Sequence, residues 1–301
     1  MSKLLELQTT MFLLIFVGAI LKKAHIVGNE GQKNITDIVI YLVLPCNIIQ
    51  SFLVKFTSEI WRSFISIFVI SILIQIFASW FGRIFYRSAS PEKRTSLQYG
   101  IICSNAGFLG NPVAQGVFGI TGLTLASIYL IPQRIMMWSS GVALFSGNHD
   151  RKVVLKKVLT HPCILACEIG LVLMLFQISI PHILDAPISA VSACNMPLSM
   201  MVIGMILAEM DLKTLVDKDV VIYSIIRLVI IPAVVYAGCL LFHVKGIVMG
   251  VSVILAAMPA GATTSILAAK YEADEKFATK LVIFSTLLSL ATTLIWSLIL
   301  T

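Results

Sequence analysis

Carboxamides and hydroxyls set inside apolar sequence are the groups in this chain placed to do chemistry. The stretch CSNAGFLGNPVAQGVFG, Cys103 to Gly119, lies in an apolar run long enough to cross a bilayer, yet carries Asn105, Asn111, Pro112 and Gln115 among four glycines. Roughly 150 residues later, AAMPAGATTS, Ala256 to Ser265, interrupts a second apolar run with Pro259, Gly261, Thr263, Thr264 and Ser265. An amide donates a hydrogen bond to a carboxylate without a charge of its own, so a bound anion can be released again. The competing role is hydrogen bonding between helices for the asparagines, and back-bonding to their own helix for the hydroxyls.

Proline explains why such groups belong together. It lacks an N–H and its ring crowds the preceding turn, so carbonyls and amides are freed. In lipid each unsatisfied group costs several kcal/mol, so a break survives only in protein or beside a watery cavity. There the new helix N-terminus offers unpaired N–H groups and partial positive charge, which suits an anion.

Further candidates lie in other apolar runs. Asn47 follows Leu-Pro-Cys, and Asn195 opens Asn-Met-Pro-Leu-Ser; with Gln50 and Ser199 they are candidates to line a site or gate. Arg134, in IPQRIMMW, is a guanidinium halfway along a run, where charge is expensive and marks function by default. It would pair with an anionic substrate, or structurally with Glu168. Arg227 is a second buried-charge candidate, with snorkelling as its alternative, and Glu168 a candidate proton acceptor or arginine partner.

The elements that hold these residues follow from composition. The chain has 301 residues, 58% hydrophobic and 12% charged, with mean hydropathy +0.96. That excludes a soluble domain, which would be about a quarter charged. The apolar runs do not alternate, which excludes a membrane β-barrel. An all-α membrane protein is expected, with spans at 4–21, 37–54, 60–82, 97–118, 122–146, 158–180, 184–208, 219–242, 246–269 and 277–300. The first span carries its stronger charge after the apolar core, at Lys22 and Lys23, and reads as a retained helix rather than a cleaved signal. The net charge of +7 reads as topology rather than nucleic-acid binding. Six cysteines show no metal-ligand spacing, and neither a metal nor a cofactor is expected.

With ten spans, one set of connections holds sixteen Lys and Arg, among them Lys22, Lys23, Arg83, Arg87, Lys93 and Arg94. The opposite set holds only Lys3, Lys55, Arg62 and Lys245. The positive-inside rule then puts both termini outside. Pro45 and Pro197 are offset by 152 positions, and Pro112 and Pro259 by 147. Matched prolines in two sets of five helices predict a 5+5 inverted repeat with helices four and nine broken. The halves are 1–147 and 158–301, joined by a short cytoplasmic linker at 148–157. The interruptions are expected at Gly110-Asn111-Pro112 and Met258-Pro259-Ala260-Gly261, with a substrate-sized gap between them.

The Leu-Pro of span two, SNAGFLGNPV of span four and MPAGATTSILAAKYEAD of span nine resemble the auxin efflux carrier family, which includes the plant PIN-type carriers and many bacterial permeases. The resemblance runs over nearly the whole chain, and the short connection at 147–158 resembles the bacterial type. It implies a ten-helix inverted repeat with helices four and nine crossing, in a bacterial plasma membrane. It also implies transport of small organic anions: auxin-like weak acids, or dicarboxylates such as malonate or malate. Plant carriers read Asn-Pro-Asn where Pro112 is followed here by Val113, which counts against auxin itself. No GxxxxGK[ST] loop occurs, so the driving force is the membrane potential or H+ or Na+ coupling. A ligand sensor on the same fold, a channel and a homodimer stay open, and an enzyme is not expected.

Overall fold

The computed structural model describes residues 2–53, 57–146, 160, 162–208, 215–271 and 273–300. The expected linker at 148–157 lies outside them, as do His149, His161 and Glu272. The described elements are helices: α1 (Ser2–Lys23), α2 (Asn29–Phe52), α3 (Ser58–Phe85), α4 (Pro91–Ile102), α5 (Asn111–Met136), α6 (Val142–Ser146), α7 (Pro162–Leu175), α8 (His182–Ala193), α9 (Asn195–Ala208), α10 (Lys218–Leu241), α11 (Gly246–Ala256), α12 (Thr263–Lys270) and α13 (Glu275–Leu300). Among the described residues, six helical stretches of 24 to 31 residues are long and apolar enough to cross a membrane, Asn29–Phe52, Ala106–Met136 and Lys218–Leu241 included. α7 and α11 are shorter apolar helices.

Wide turns of the backbone precede three of the prolines. A π-helical turn at Val39–Val43 precedes Pro45, one at Ala106–Gly110 precedes Pro112, and one at Ile226–Ile230 precedes Pro232. In each case the proline lies two residues past the turn. Its missing N–H and its ring leave no room for the normal bond to the carbonyl four residues back, and the helix widens instead of stopping. Pro112 therefore does not end a helix. The backbone leaves helical geometry earlier, at Cys103 to Asn105, and not at the expected Gly110-Asn111-Pro112. The second interruption, 257–262, covers the expected Met258 to Gly261. Gly119, with φ +67° and ψ −160°, kinks α5 where the sequence predicts a boundary between spans four and five.

The chain forms two compact units. The first holds 1–63, 107–127 and 160–210. Here α1 and α9 press together through two glycines. A Cβ on Gly18 would overlap the Met201 carbonyl, and one on Gly204 the Ile15 carbonyl. Gly170 admits the Phe52 ring, 2.6 Å from where its Cβ would stand. Without water to drive helices together, close approach of small residues supplies the packing. Thr124 Oγ1 donates to the Ser51 carbonyl and ties α5 to α2.

The second unit holds 64–106, 128–159 and 211–301. Trp296 of α13 donates its indole N–H to Leu228 O at 2.9 Å, and Ser71 Oγ donates to Tyr129 O at 2.6 Å. Tyr223 fills the space beside Gly100, its hydroxyl 2.7 Å from where a Cβ would be. Lys93 reaches Asp217 at 3.1 Å and Asp219 at 2.8 Å, joining the start of α4 to the start of α10.

Candidate functional site

The two interrupted segments meet inside the second unit. Ser104 and Ala260 form an antiparallel bridge. Asn105 N–H donates to Pro259 O at 2.8 Å, and Gly261 N–H donates to Cys103 O at 3.0 Å. Each segment thus satisfies backbone groups of the other that its own lost helix would have satisfied, which meets the bilayer's demand for internal partners. Gly261 eases this approach: a Cβ there would stand 3.2 Å from Cys103 O and 3.4 Å from Ser104 O, tight against the partner backbone.

Side chains fix the pairing. Gln133 donates its amide to Ser104 O at 2.8 Å and accepts from Ser104 Oγ at 3.1 Å. Ser285 Oγ accepts from Ala260 N–H at 3.2 Å. Arg227, 3% exposed, donates Nε–H to Met258 O at 3.0 Å and Nη1–H to Ile101 O at 3.5 Å. One guanidinium therefore holds the carbonyls entering both interruptions. It sits, buried, in the π turn of α10. Tyr99 OH donates to Thr263 Oγ1 at 3.1 Å and links α4 to the first residue of α12.

What this frame leaves open is polar. The Asn105 side chain is half-buried and has no hydrogen bond among the described residues. Thr263, half-buried two residues after Gly261, accepts from Tyr99 and keeps only its own hydroxyl proton to donate, and Thr264 Oγ1 is buried without a partner among the described residues. Helix starts follow both paired segments directly, at Ala106 and at Thr263, and the first N–H groups of a helix have no partner within it. Arg134 is buried in this unit next to Gln133.

The remaining candidates belong to the first unit. Asn47 and Asn195 are each 1% exposed and satisfy one another. Asn195 Nδ2 donates to Asn47 Oδ1 at 3.0 Å, Asn47 Nδ2 donates to Ser192 Oγ at 3.0 Å, and Ser199 Oγ donates to Asn195 Oδ1 at 3.3 Å. Asn111 also belongs to this unit and is fully buried, but neither its Nδ2 nor its Oδ1 has a hydrogen-bond partner among the described residues. Pro112 beside it is buried. Glu168 is exposed on α7, on the face that also exposes Leu165, Ile169 and Val172.

Sequence reasoning missed Gln133, Ser104, Ser285 and Tyr99. Only Gln133 carried a usable signal, since it adjoins Arg134 in the same apolar run.

A family model described as "Membrane transport protein" matches residues 4–297, over nearly the whole chain. The chain belongs to that family, which includes the auxin efflux carriers. It is an integral membrane transporter and not an enzyme. A protein named as an uncharacterized transporter, from Methanocaldococcus jannaschii, is 27% identical over 305 residues, 98% of each chain. Another, from Methanothermobacter thermautotrophicus, is 27% identical over 306 residues, again 98% of each. Auxin efflux carrier component 2 of rice is 26% identical over 149 residues, which is 48% of this chain and 24% of the rice protein.

Proposed function

We propose that this transporter is a secondary or potential-driven carrier of small organic anions, mono- or dicarboxylates, that works by alternating access. The observation that carries the reading is the reciprocal backbone pairing at Ser104 and Ala260. It joins two interrupted helices and leaves the half-buried Asn105 amide and the Thr263 hydroxyl beside two helix starts. Neutral donors and helix N-termini bind a carboxylate without trapping it. Arg227 contributes positive charge through its grip on Met258 and Ile101, in surroundings where a low dielectric lengthens its reach. The Asn111 amide, without a hydrogen-bond partner among the described residues, is a separate candidate to bind the anion or water.

The reading includes ten membrane helices in a 5+5 inverted repeat, with helices four and nine crossing at mid-membrane and both termini outside. Support comes from the matched prolines and from a second pair at the same offset. His25 follows α1 and Gln177 follows α7, each in the left-handed region at φ 56° and φ 50°, and they lie 152 positions apart, as Pro45 and Pro197 do. The rice relatives' name argues for a weak organic acid, and Val113 after Pro112 argues against auxin itself.

The test is uptake into proteoliposomes of a panel of labelled mono- and dicarboxylates, with potential, pH gradient and sodium gradient set independently. A saturable anion flux that rises with an inside-positive potential is expected. Asn105→Ala and Thr263→Val should weaken apparent affinity. Flux of cations only, or of no organic anion, would overturn the reading.

A further inference from the structure

At the end of α3 the chain turns through Tyr86–Ser88 into α4, and the two helix ends enclose a cleft of about 350 Å³ lined by Arg83, Ile84, Arg87, Arg94 and Gln98. Among the described residues no carboxylate lines it. Arg94 spends Nε and one Nη2 donor on Ala89 O, at 3.3 and 3.0 Å, which fixes its guanidinium in place. Arg83 and Arg87 make neither an ion pair nor a hydrogen bond among the described residues, although Lys93 nearby takes two carboxylates. Three like charges around one cleft repel, so the arrangement calls for an anion with several acceptor oxygens. Planar guanidiniums match phosphate in that role.

An apolar track leads into the same cleft. Ile76, Trp80 and Ile84 succeed one another at helical spacing on α3, 60%, 60% and 56% exposed, and Ile84 lines the cleft itself. Eight residues of helix give roughly 12 Å of track. Beside it on the same helix Phe77, Phe81 and Phe85 stack at 5.7 and 5.2 Å, an aromatic row flanking the track. Trp80 stands one turn before Ile84, where an indole sits at the headgroup level of a bilayer. Charge at one end and an exposed apolar strip at the other are the two halves of an amphipathic ligand.

We infer that this cleft is a binding site for the phosphate headgroup of an anionic phospholipid, with an acyl chain laid along Ile76, Trp80 and Ile84. The site is separate from the paired interruptions and does not rest on the identity of the transported anion.

The test is native mass spectrometry of the delipidated full-length protein, titrated with phosphatidylglycerol or phosphatidylcholine. The wild type should retain phosphatidylglycerol about tenfold better, and Arg83→Gln/Arg87→Gln should lose most of that preference. Equal retention of both lipids, or a double variant with unchanged preference, would overturn the proposal. A competition arm uses inorganic phosphate and glycerol 3-phosphate: if either displaces the lipid at equal concentration, the site is one for soluble phosphates and the lipid assignment fails. Should the double variant not fold, the wild type decides. Dibrominated phosphatidylglycerol should quench the Trp80 component of the fluorescence, taken as the difference from Trp80→Phe, several-fold more than dibrominated phosphatidylcholine. Equal quenching would refute the site.

Discussion

Asn47 and Asn111 are both fully buried asparagines close to a proline, in the same unit, and they have opposite fates. Asn47 gives and takes hydrogen bonds in a closed chain with Ser192, Asn195 and Ser199. Asn111 has neither end of its amide bonded. A buried amide without partners costs about 1–3 kcal/mol, so the protein tolerates at Asn111 what it has solved at Asn47. The same contrast separates this Asn47–Asn195 clamp from the paired interruptions, where backbone atoms close on one another and the side chain of Asn105 is left over. Satisfied polar groups hold the fold, and unsatisfied ones are where a carrier can spend binding energy on something that comes and goes.

The largest expected effect sharpens the structural side of that contrast. Gly204→Leu would drive a side chain into the Ile15 carbonyl of α1. Overpacking against backbone should cost about 3 kcal/mol or more. The variant should lose its monodisperse peak in detergent or show a Tm lower by roughly 5–10 °C. An unchanged Tm would mean that α1 and α9 are not pressed together there.

Arg227 comes next, because it belongs to both sides. Arg227→Met removes the donors to Met258 O and Ile101 O, which leaves two buried carbonyls at about 1–3 kcal/mol each. Anion uptake should fall at least tenfold. Arg227→Lys keeps the charge but lacks the fork that spans two carbonyls, so it should recover only part of the rate. Full activity in the methionine variant would remove Arg227 from the mechanism.

The asparagines themselves give the direct comparison. Asn47→Ala opens the clamp and should lower stability by about 1–3 kcal/mol, read as Tm, with the apparent KM for the anion unchanged. Asn111→Ala removes an unpaired amide and should leave Tm unchanged or raised, while transport slows. The comparison breaks if the two variants behave alike.

Much of this was legible before the fold was known. Two interruptions, at Cys103–Gly119 and Ala256–Ser265, stood out because asparagine, threonine and proline have no use in a plain membrane anchor. The register of the first was not legible. Pro112 pointed to itself as the break, but a proline near the start of a helix only widens the turn before it, and the chain actually leaves the helix at Cys103 to Asn105. The partners of the bridge were also hidden. Nothing in the sequence pairs Ser104 with Gln133 or Ala260 with Ser285, and only the fold brings residues 29 and 25 positions apart onto the paired backbone. Asn47 and Asn195 were picked for their prolines, and the sequence could not say that each would satisfy the other.

The smallest expected effect tests whether charge at the helix starts behaves like the clamp, as fold and not as function. Lys93 is held by Asp219 and Asp217, and those partners raise its ammonium above the usual lysine range, against the desolvation that lowers it. Burial pushes the Asp217 carboxyl up, but the Asp219 N–H and Lys93 outweigh it and hold it below the usual carboxylate range. The signs set a window. The Asp217 contribution is present above the unfolded carboxylate pKa and is lost as pH falls through its lowered folded value. The Lys93 contribution is present below the unfolded lysine pKa and is lost as pH rises through its raised folded value. Stability from the cluster should therefore be flat through neutral pH and decline at both extremes. With the three side chains 27%, 30% and 43% exposed, water and salt screen it, and the total should be within about 1 kcal/mol. Lys93→Met should flatten that part of the Tm-against-pH curve and leave anion uptake at neutral pH within twofold of wild type. A large loss of uptake would make the cluster part of the transport cycle, and the line drawn between satisfied and unsatisfied polar groups would then be in the wrong place.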